Sequence, residues 1–140
     1  METKIFAEGP IPEIANENDA GIDLKNAGGD FRVIGKTIYK IHTGLFVEIP
    51  KGKCGIIFER SGLGSRGVSI HGRIIDSGYR GEIIVLLSQQ CSHSIEIKKG
   101  VDEPEVQAIG SMVIKHGDKI AQMVIVDCFP EWLEVKRKSD

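Results

Sequence analysis

Apolar and polar residues alternate over short distances along this chain, and turn-forming residues interrupt them often. The runs that predict strands are at residues 4–8, 20–24, 31–49, 54–59, 95–97 and 120–129. No stretch repeats apolar residues every 3.6 positions over three turns, so we expect no long helix. Three glycines at residues 60–67 predict a loop or a single helical turn. Many short strands joined by turns predict an all-β sandwich, jelly roll or barrel.

Residues 72–82 form the centre of the predicted organisation. Two isoleucines run into the turn signal Asp-Ser-Gly at 76–78, and the chain then enters an apolar run at 83–87. We predict a β-hairpin whose tip carries the Asp76 carboxylate and the Tyr79 phenol. Because the run at 83–87 is apolar on both faces, its strand should lie between two sheets or be covered by a neighbouring subunit.

The composition sets limits on domain number, location and ligands. A chain of 140 residues with 41% hydrophobic residues and no evident linker predicts one domain, 1–140. The net charge of −2 gives no general attraction to nucleic acid or to acidic membranes, so a polyanionic ligand would need local cations or a metal ion. The three cysteines, Cys54, Cys91 and Cys128, form no zinc-ligand pattern and predict thiols, not disulfides. Since neither a signal peptide nor a membrane span of about 18 apolar residues is visible, we expect a cytoplasmic protein.

Four segments combine glycine with a charged or hydroxyl residue, and each taken alone is also explained by a simple turn. In the segment at 60–65, a guanidinium, a hydroxyl and backbone N–H groups could converge on phosphate oxygens. The segment at 74–81 carries the Asp76 carboxylate, which could act as a general base. The segments are residues 20–24, 60–65, 74–81 and 117–122.

In this order the four segments resemble the motifs of the trimeric dUTPase family. The family's motifs read Ala-Gly-x-Asp-Leu, Arg-Ser-Gly-Leu, a hydrophobic pair followed by Asp-x-x-Tyr-x-Gly, and Gly-Asp-(Arg/Lys)-Ile-Ala-Gln, and all four match. The resemblance spans roughly residues 5–129. It implies a jelly-roll-like β-clip subunit, a homotrimer with active sites at subunit interfaces, and Mg2+-assisted hydrolysis of dUTP to dUMP and pyrophosphate.

The resemblance also implies roles for single residues on the nucleoside side. Asp76 would orient the attacking water as general base and touch the deoxyribose 3′-OH. Tyr79 would lie against the sugar and leave no room for a ribose 2′-OH. The backbone around Ile74 and Ile75 would read the uracil edge.

A second group of residues would serve the triphosphate. Arg60, Ser61 and Gly62 would bind the phosphates, and Gln122 would contact a phosphate or the attacking water. Asp23 would act near the metal through a water molecule.

Two departures from the family concern the base and the closure of the site. Many members have Asn six residues before the catalytic Asp and Gly three before it, whereas this chain has Ile70 and Arg73, with His71 between them. His71 or the main chain could replace the Asn, and Arg73 could be an interface residue or a phosphate ligand.

The family's usual fifth motif, a glycine-rich C-terminal arm, has no counterpart in the tail at 130–140. The basic end of the tail could substitute weakly, or Trp132 could cap the base, or closure could be lost; a packed Trp132 is the simplest interpretation. The segment at about 100–113 predicts an inserted surface loop, either a partner-binding loop or without a function of its own.

Other functions fit the sequence less well. The related dCTP deaminases place a catalytic Glu ten residues after the Asp of the third motif, where this chain has Leu86. A non-catalytic or regulatory dUTPase-like protein would explain the missing arm but would not need Asp76, Tyr79, Ser61 and Gln122. A carbohydrate-binding jelly roll would need an exposed aromatic cluster, but aromatic residues make up only 6% of the chain.

Overall fold

The computed structural model describes residues 2–13, 19–128 and 133–139, and within them the chain is almost entirely β-structure. This confirms the predicted all-β class, and the single helical turn falls inside the predicted segment 60–67. The elements are β1 (Lys4–Ala7), β2 (Ile22–Lys25), β3 (Phe31–Arg32), β4 (Tyr39–Glu48), β5 (Lys53–Phe58), α1 (Ser61–Gly64), β6 (Val68–His71), β7 (Ile74–Ile75), β8 (Glu82–Gln89), β9 (His93–Glu96), β10 (Glu105–Ala108), β11 (Val113–Ile114) and β12 (Lys119–Asp127).

Two four-stranded sheets form the body of the subunit. One has the strand order β1-β4-β8-β6 and the other has the order β2-β12-β5-β7, and every pairing in both is antiparallel. Alternate side chains of each sheet point into one shared core, as the period of two predicts. The largest fully buried side chains are Leu24, Leu45, Ile57, Ile83, Leu87, Ile120 and Met123.

The prediction of a β-hairpin at residues 72–82 is wrong. Strand β7 pairs with β5, with Ile75 opposite Gly55, whereas β8 pairs with β4 and β6. The connection from 76 to 81 therefore crosses from one sheet to the other. A turn signal fixes where the chain bends but not which strand it pairs with next, so the two flanking strands could be assigned to the same sheet by mistake.

The apolar run at 83–87 has two different environments on its two faces. Ile83, Val85 and Leu87 are completely buried in the core between the sheets. Ile84 and Leu86 point the other way, are half-buried, and line a surface cavity beside the 76–81 crossover. The first expectation for this run, burial between sheets, therefore holds for one face only.

The prediction that all three cysteines are thiols is also wrong. Cys54 and Cys128 form a disulfide, and only Cys91 is a free cysteine among the described residues. The pairing of β12 with β5 places Val126 opposite Cys54, and the next hydrogen bond runs from the Cys128 N–H to the Gly52 carbonyl at 2.7 Å. This brings the two Cα atoms to 6.2 Å, within the range that a disulfide spans, although 74 positions separate them in sequence.

Strands β9 and β10 pair with each other in a separate two-stranded hairpin. It begins at His93 and ends at Ala108, so strand lies where an inserted loop at about 100–113 is predicted. Its turn has Gly100 at φ 77°, and Ile95 and Val106 face each other across it, both about 60% exposed. None of the helices in the described part of the chain is long and apolar enough to cross a membrane.

Candidate active site

The register of β12 brings three of the four sequence segments together. Gln122 on this central strand lies opposite Asp23 of β2 on one side and opposite Phe58 of β5 on the other. The chain leaves β5 directly after Phe58, so Arg60 and the short helix α1 begin beside Gln122. Strand pairing alone therefore gathers the segments at 20–24, 60–65 and 117–122.

A cavity of about 300 Å³, here called the Arg60 cavity, lies at this meeting point. It contains all five residues that the resemblance assigns to the phosphates and the metal. Its lining residues are Asp19, Ala20, Gly21, Asp23, Arg60, Ser61, Gly62 and Gln122.

The Asp23 carboxylate lies between two cations at the Arg60 cavity. Its Oδ1 lies 3.4 Å from Arg60 Nε, and its Oδ2 lies 3.4 Å from Lys119 Nζ. Both pairs are longer than direct charge-assisted hydrogen bonds, and each cation keeps N–H groups for a further partner. One Nε2–H of Gln122 donates to the Glu59 carbonyl at 3.2 Å, which leaves its second N–H as a donor and its amide oxygen as an acceptor for a ligand. The cavity therefore offers the Arg60 guanidinium and neutral donors together with the carboxylates of Asp19 and Asp23, and Lys119 lies beside it. The guanidinium and the donors can bind a polyanion, and the carboxylates can take part through a metal ion.

The fourth segment lines a different cavity, of about 380 Å³, here called the Asp76 cavity. Asp76 and Tyr79 are exposed on the crossover, and Ile75 is buried beneath it. The Asp76 side chain makes no hydrogen bond or ion pair with any residue in the described ranges. The lining residues are Lys40, Gly72, Ile74, Ile75, Asp76, Tyr79, Glu82, Ile84 and Leu86.

The tyrosine of this cavity is held at its hydroxyl end. The Tyr79 hydroxyl donates to the Glu82 carbonyl at 2.6 Å. The Glu82 carboxylate in turn accepts the Gly44 N–H at 2.9 Å and lies 2.7 Å from His42 Nδ1. The hydrogen bond with His42 and then the one from Gly44 hold the pKa of Glu82 below its ordinary value, although burial acts the other way. Glu82 is therefore ionised at neutral pH and anchors the end of the crossover to β4.

No described residue lines both cavities. One copy of the chain thus groups Asp23, Arg60, Ser61, Gly62 and Gln122 in one place, and Ile74, Ile75, Asp76 and Tyr79 in another.

His71 and Arg73 line neither cavity. His71 Nε2 lies 2.7 Å from the Ser88 hydroxyl. Arg73 donates to the Ile70 carbonyl at 2.9 Å and forms an ion pair with Glu59. Burial alone would raise the pKa of Glu59, but hydrogen bonds from backbone N–H groups and the charge of Arg73 lower it overall. The geometry thus gives both residues internal partners. The part of His71 in reading uracil and the part of Arg73 at an interface or at a phosphate stay predictions; Trp132 lies outside the described residues.

Comparison with known proteins decides the family. The sequence model of dUTPase matches residues 7–101. A deoxyuridine 5'-triphosphate nucleotidohydrolase of Mycobacterium sp. (strain JLS) is 36% identical over 136 residues, which cover 94% of this chain and 77% of that protein. The chain belongs to the dUTPase family.

Other dUTPases are similar at comparable levels. The one of Mycobacterium avium (strain 104) is 39% identical over 119 residues, 83% of this chain, but this match spans only 66% of that protein. Among solved structures, the dUTPase of Staphylococcus aureus phage phi11 superposes with a TM-score of 0.77 at 26% identity, covering 100% of this chain and 97% of that one. The dUTPase of Staphylococcus bacteriophage 80alpha superposes with a TM-score of 0.76 at 25% identity, covering 99% of this chain and 97% of that one.

The match to the dUTPase sequence model ends at residue 101, inside the β9–β10 hairpin. The fourth motif at 117–122 lies beyond that point, yet the strand register places its Gln122 next to the first motif. The phi11 dUTPase is also described as having a species-specific insert.

Three further residues hold or contact the residues of the candidate site and were not assigned to it from the sequence. Lys119 contacts Asp23, and it lies inside the fourth motif, where its charge was the available signal. The Glu59 carbonyl accepts a hydrogen bond from Gln122 and the Glu59 carboxylate forms an ion pair with Arg73, and nothing in the sequence around Glu59 indicates these contacts. Buried Asn26 donates to the Gly29 and Lys115 carbonyls and so holds the turn before β12 against the end of β2; a polar residue directly after a core strand was its signal.

Proposed function

We propose that this protein hydrolyses dUTP to dUMP and pyrophosphate. The observation that carries the proposal is the sorting of the motif residues into two cavities of different chemistry. The Arg60 cavity has a guanidinium and neutral donors that can bind the oxygens of a triphosphate, with Lys119 beside it. The Asp76 cavity has an apolar wall, a tyrosine and an exposed carboxylate, which suit a nucleoside and an attacking water.

In the proposed reaction, Asp76 takes a proton from water as the water oxygen attacks phosphorus. The attack is on the α-phosphorus; the bond from this phosphorus to the oxygen that bridges to the β-phosphorus breaks, and that oxygen keeps the electron pair and leaves as part of pyrophosphate. A carboxylate needs only to reach hydrogen-bond distance of the water for this role. Because the Asp76 side chain has no partner among the described residues and is exposed, it is available to a water molecule.

On the phosphate side, Arg60, Ser61, the Gly62 backbone and Gln122 would hold the leaving group. Negative charge moves onto the pyrophosphate oxygens as the bond breaks, and fixed donors there stabilise the transition state. Gln122 is well suited to this because the Glu59 carbonyl and two neighbouring strands fix its position before substrate binds.

The separation of the two cavities supports a homotrimer with shared sites. If each site takes the Arg60 cavity from one copy and the Asp76 cavity from another, all the motif residues can act on one dUTP molecule. The half-buried Ile84 and Leu86 and the 60% exposed Ile74 at the Asp76 cavity would then be covered on assembly.

Mg2+ fits this arrangement as a companion of the substrate. Among the described residues no three His, Cys, Asp or Glu side chains cluster to hold a metal ion. Mg2+ commonly binds through one or two carboxylates together with substrate phosphates and water, so the single carboxylate of Asp23 is a sufficient protein contribution, through water. The metal would neutralise part of the triphosphate charge. The structure of a mutant dUTPase from phage phi11 shows the coordination of a structural Mg(II) ion in that protein.

As the compartment we propose the cytoplasm, where the deoxynucleotide pool is found. The exposed free thiol of Cys91 suits a reducing compartment, and the Cys54–Cys128 disulfide would be an exception there.

The test is pyrophosphate release by the purified protein with Mg2+, comparing dUTP with dCTP, dTTP and UTP. We expect turnover of dUTP with strong selectivity over the other three, and loss of turnover when EDTA removes the metal. Restoration by added Mg2+ controls for damage by the chelator.

Two results would contradict the proposal. Tight binding of dUTP without turnover would make the protein a nucleotide-binding regulator, and equal turnover of all four nucleotides would remove the specific role of the Asp76 cavity.

A further inference from the structure

The ring of Tyr79 lies directly over the backbone of Gly81. A Cβ atom placed on Gly81 would come within 2.7 Å of the Tyr79 hydroxyl oxygen, 2.9 Å of Cζ and 3.1 Å of Cε1. Carbon atoms in proteins do not normally approach other atoms this closely. Tyr79 can therefore occupy its observed position only because residue 81 has no side chain.

The same position of the ring is fixed from its far end. The Tyr79 hydroxyl donates to the Glu82 carbonyl, and the Glu82 carboxylate is held by Gly44 and His42 on β4. The Tyr79 side chain thus lies along the chain that follows it and is anchored at the residue directly after Gly81, although 41% of its surface is exposed. Tyr79 also lines the Asp76 cavity, so the anchored ring borders the space that is open to a ligand.

We propose that Gly81 is a specificity-determining position, which acts by allowing Tyr79 to take the place that excludes a ribose 2′-OH. This inference rests on the proposed function, in which Tyr79 lies against the deoxyribose. Gly81 itself is a positioning residue because it acts through the Tyr79 ring. A methyl group at residue 81 would push the ring outward or sideways, and a shift of this kind changes the space at the sugar C2′.

Gly78, in the same crossover, gives a matched control. No atom lies within 4 Å of a Cβ placed on Gly78, and its φ is not in the left-handed region. Gly78→Ala and Gly81→Ala therefore remove the same backbone freedom from the same loop, and only the second displaces Tyr79.

The experiment measures kcat/KM for dUTP and for UTP in the wild type, Gly78→Ala, Gly81→Ala, Tyr79→Ala and the Tyr79→Ala/Gly81→Ala double variant, with Tm for each. We expect Gly81→Ala to lower the ratio of kcat/KM for dUTP to kcat/KM for UTP about tenfold or more, because a displaced Tyr79 ring discriminates poorly against one added hydroxyl. Gly78→Ala should keep the wild-type ratio. In the double variant, Gly81→Ala should have no further effect on the ratio, since the group through which it acts is gone.

An unchanged ratio in Gly81→Ala would overturn the inference while leaving dUTP hydrolysis by the wild type, and so the proposed function, intact. An equal fall of the ratio in the Tyr79→Ala background would also overturn it, since Gly81 would then act by another route. Tyr79→Phe covers the case in which Gly81→Ala does not fold: it removes the hydroxyl that binds Glu82 and should lower the ratio, and a retained ratio would contradict the anchoring step.

Discussion

Replacement of Asp76 by asparagine should lower the turnover of dUTP by about 10²- to 10⁴-fold, the range expected for loss of a general base. Asparagine has the shape of aspartate but cannot take a proton from water at neutral pH. The fold should be unaffected, because the Asp76 side chain is exposed and binds no described residue, and only its backbone carbonyl is used, accepting the Tyr79 N–H at 3.1 Å. Steady-state pyrophosphate release and Tm together check this expectation.

Asp102→Asn is the matched control for that variant. Asp102 is an exposed aspartate in the turn of the β9–β10 hairpin, outside both cavities, and it should keep wild-type turnover. Wild-type turnover in Asp76→Asn would show that another group activates the water.

Replacement of Gly21 by alanine should destabilise the subunit by roughly 3 kcal/mol, at the upper end of the cost of overpacking a well-filled site. A Cβ on Gly21 would lie 2.4 Å from the Met123 carbonyl oxygen and 2.9 Å from Val124 Cγ1. The first contact is with the backbone of the central strand β12, which cannot move aside as a side chain can. Strand β2 would have to move away from β12, and Asp23 would lose its place beside Gln122.

Thermal unfolding at equal protein concentration is the appropriate measurement, and Gly29→Ala is its control. No atom lies within 4 Å of a Cβ on Gly29, so this variant should melt with the wild type while Gly21→Ala melts about 10 °C lower. Equal melting of the two variants would mean that β2 has room to adjust. The glycine of the first motif would then serve the ligand and not the packing of the sheet.

The sequence predicts the strands better than it predicts their partners. The short apolar runs within residues 4–8 and 54–59 are visible locally, and β1 (Lys4–Ala7) and β5 (Lys53–Phe58) lie there to within one residue. The sheet to which β7 belongs depends on contacts with Gly55, far away in sequence, and the two residues of β7 carry too little pattern to indicate it. The disulfide between Cys54 and Cys128 escaped prediction for the same reason, since it follows from the register of β12 and β5.

For the candidate site, the residue types were visible in the motifs and the family resemblance implied their grouping by role, but the sequence pattern alone did not show what brings them together. Asp23, Arg60 and Gln122 belong together because β12 lies between β2 and β5, an arrangement of tertiary structure. The contacts that hold these residues, such as the Glu59 carbonyl with Gln122, come from positions without any motif of their own. The role of Gly81 could be recognised only once the Tyr79 ring had a position in space.

The separation of the two cavities has a consequence for how a population of these molecules behaves. On the proposed assembly, a single folded chain has no complete site, so catalysis is a property of the encounter between copies and follows mass action. Specific activity would rise with concentration until assembly is saturated. A copy with a defective Asp76 would still contribute its intact Arg60 cavity to a working site with a neighbouring copy. The site that its own Asp76 cavity forms with the Arg60 cavity of another copy would be inactive. Each such copy would therefore remove one site from a mixed assembly and no more, whereas a copy defective only in Asp76 and a copy defective only in Arg60 could together form one intact site.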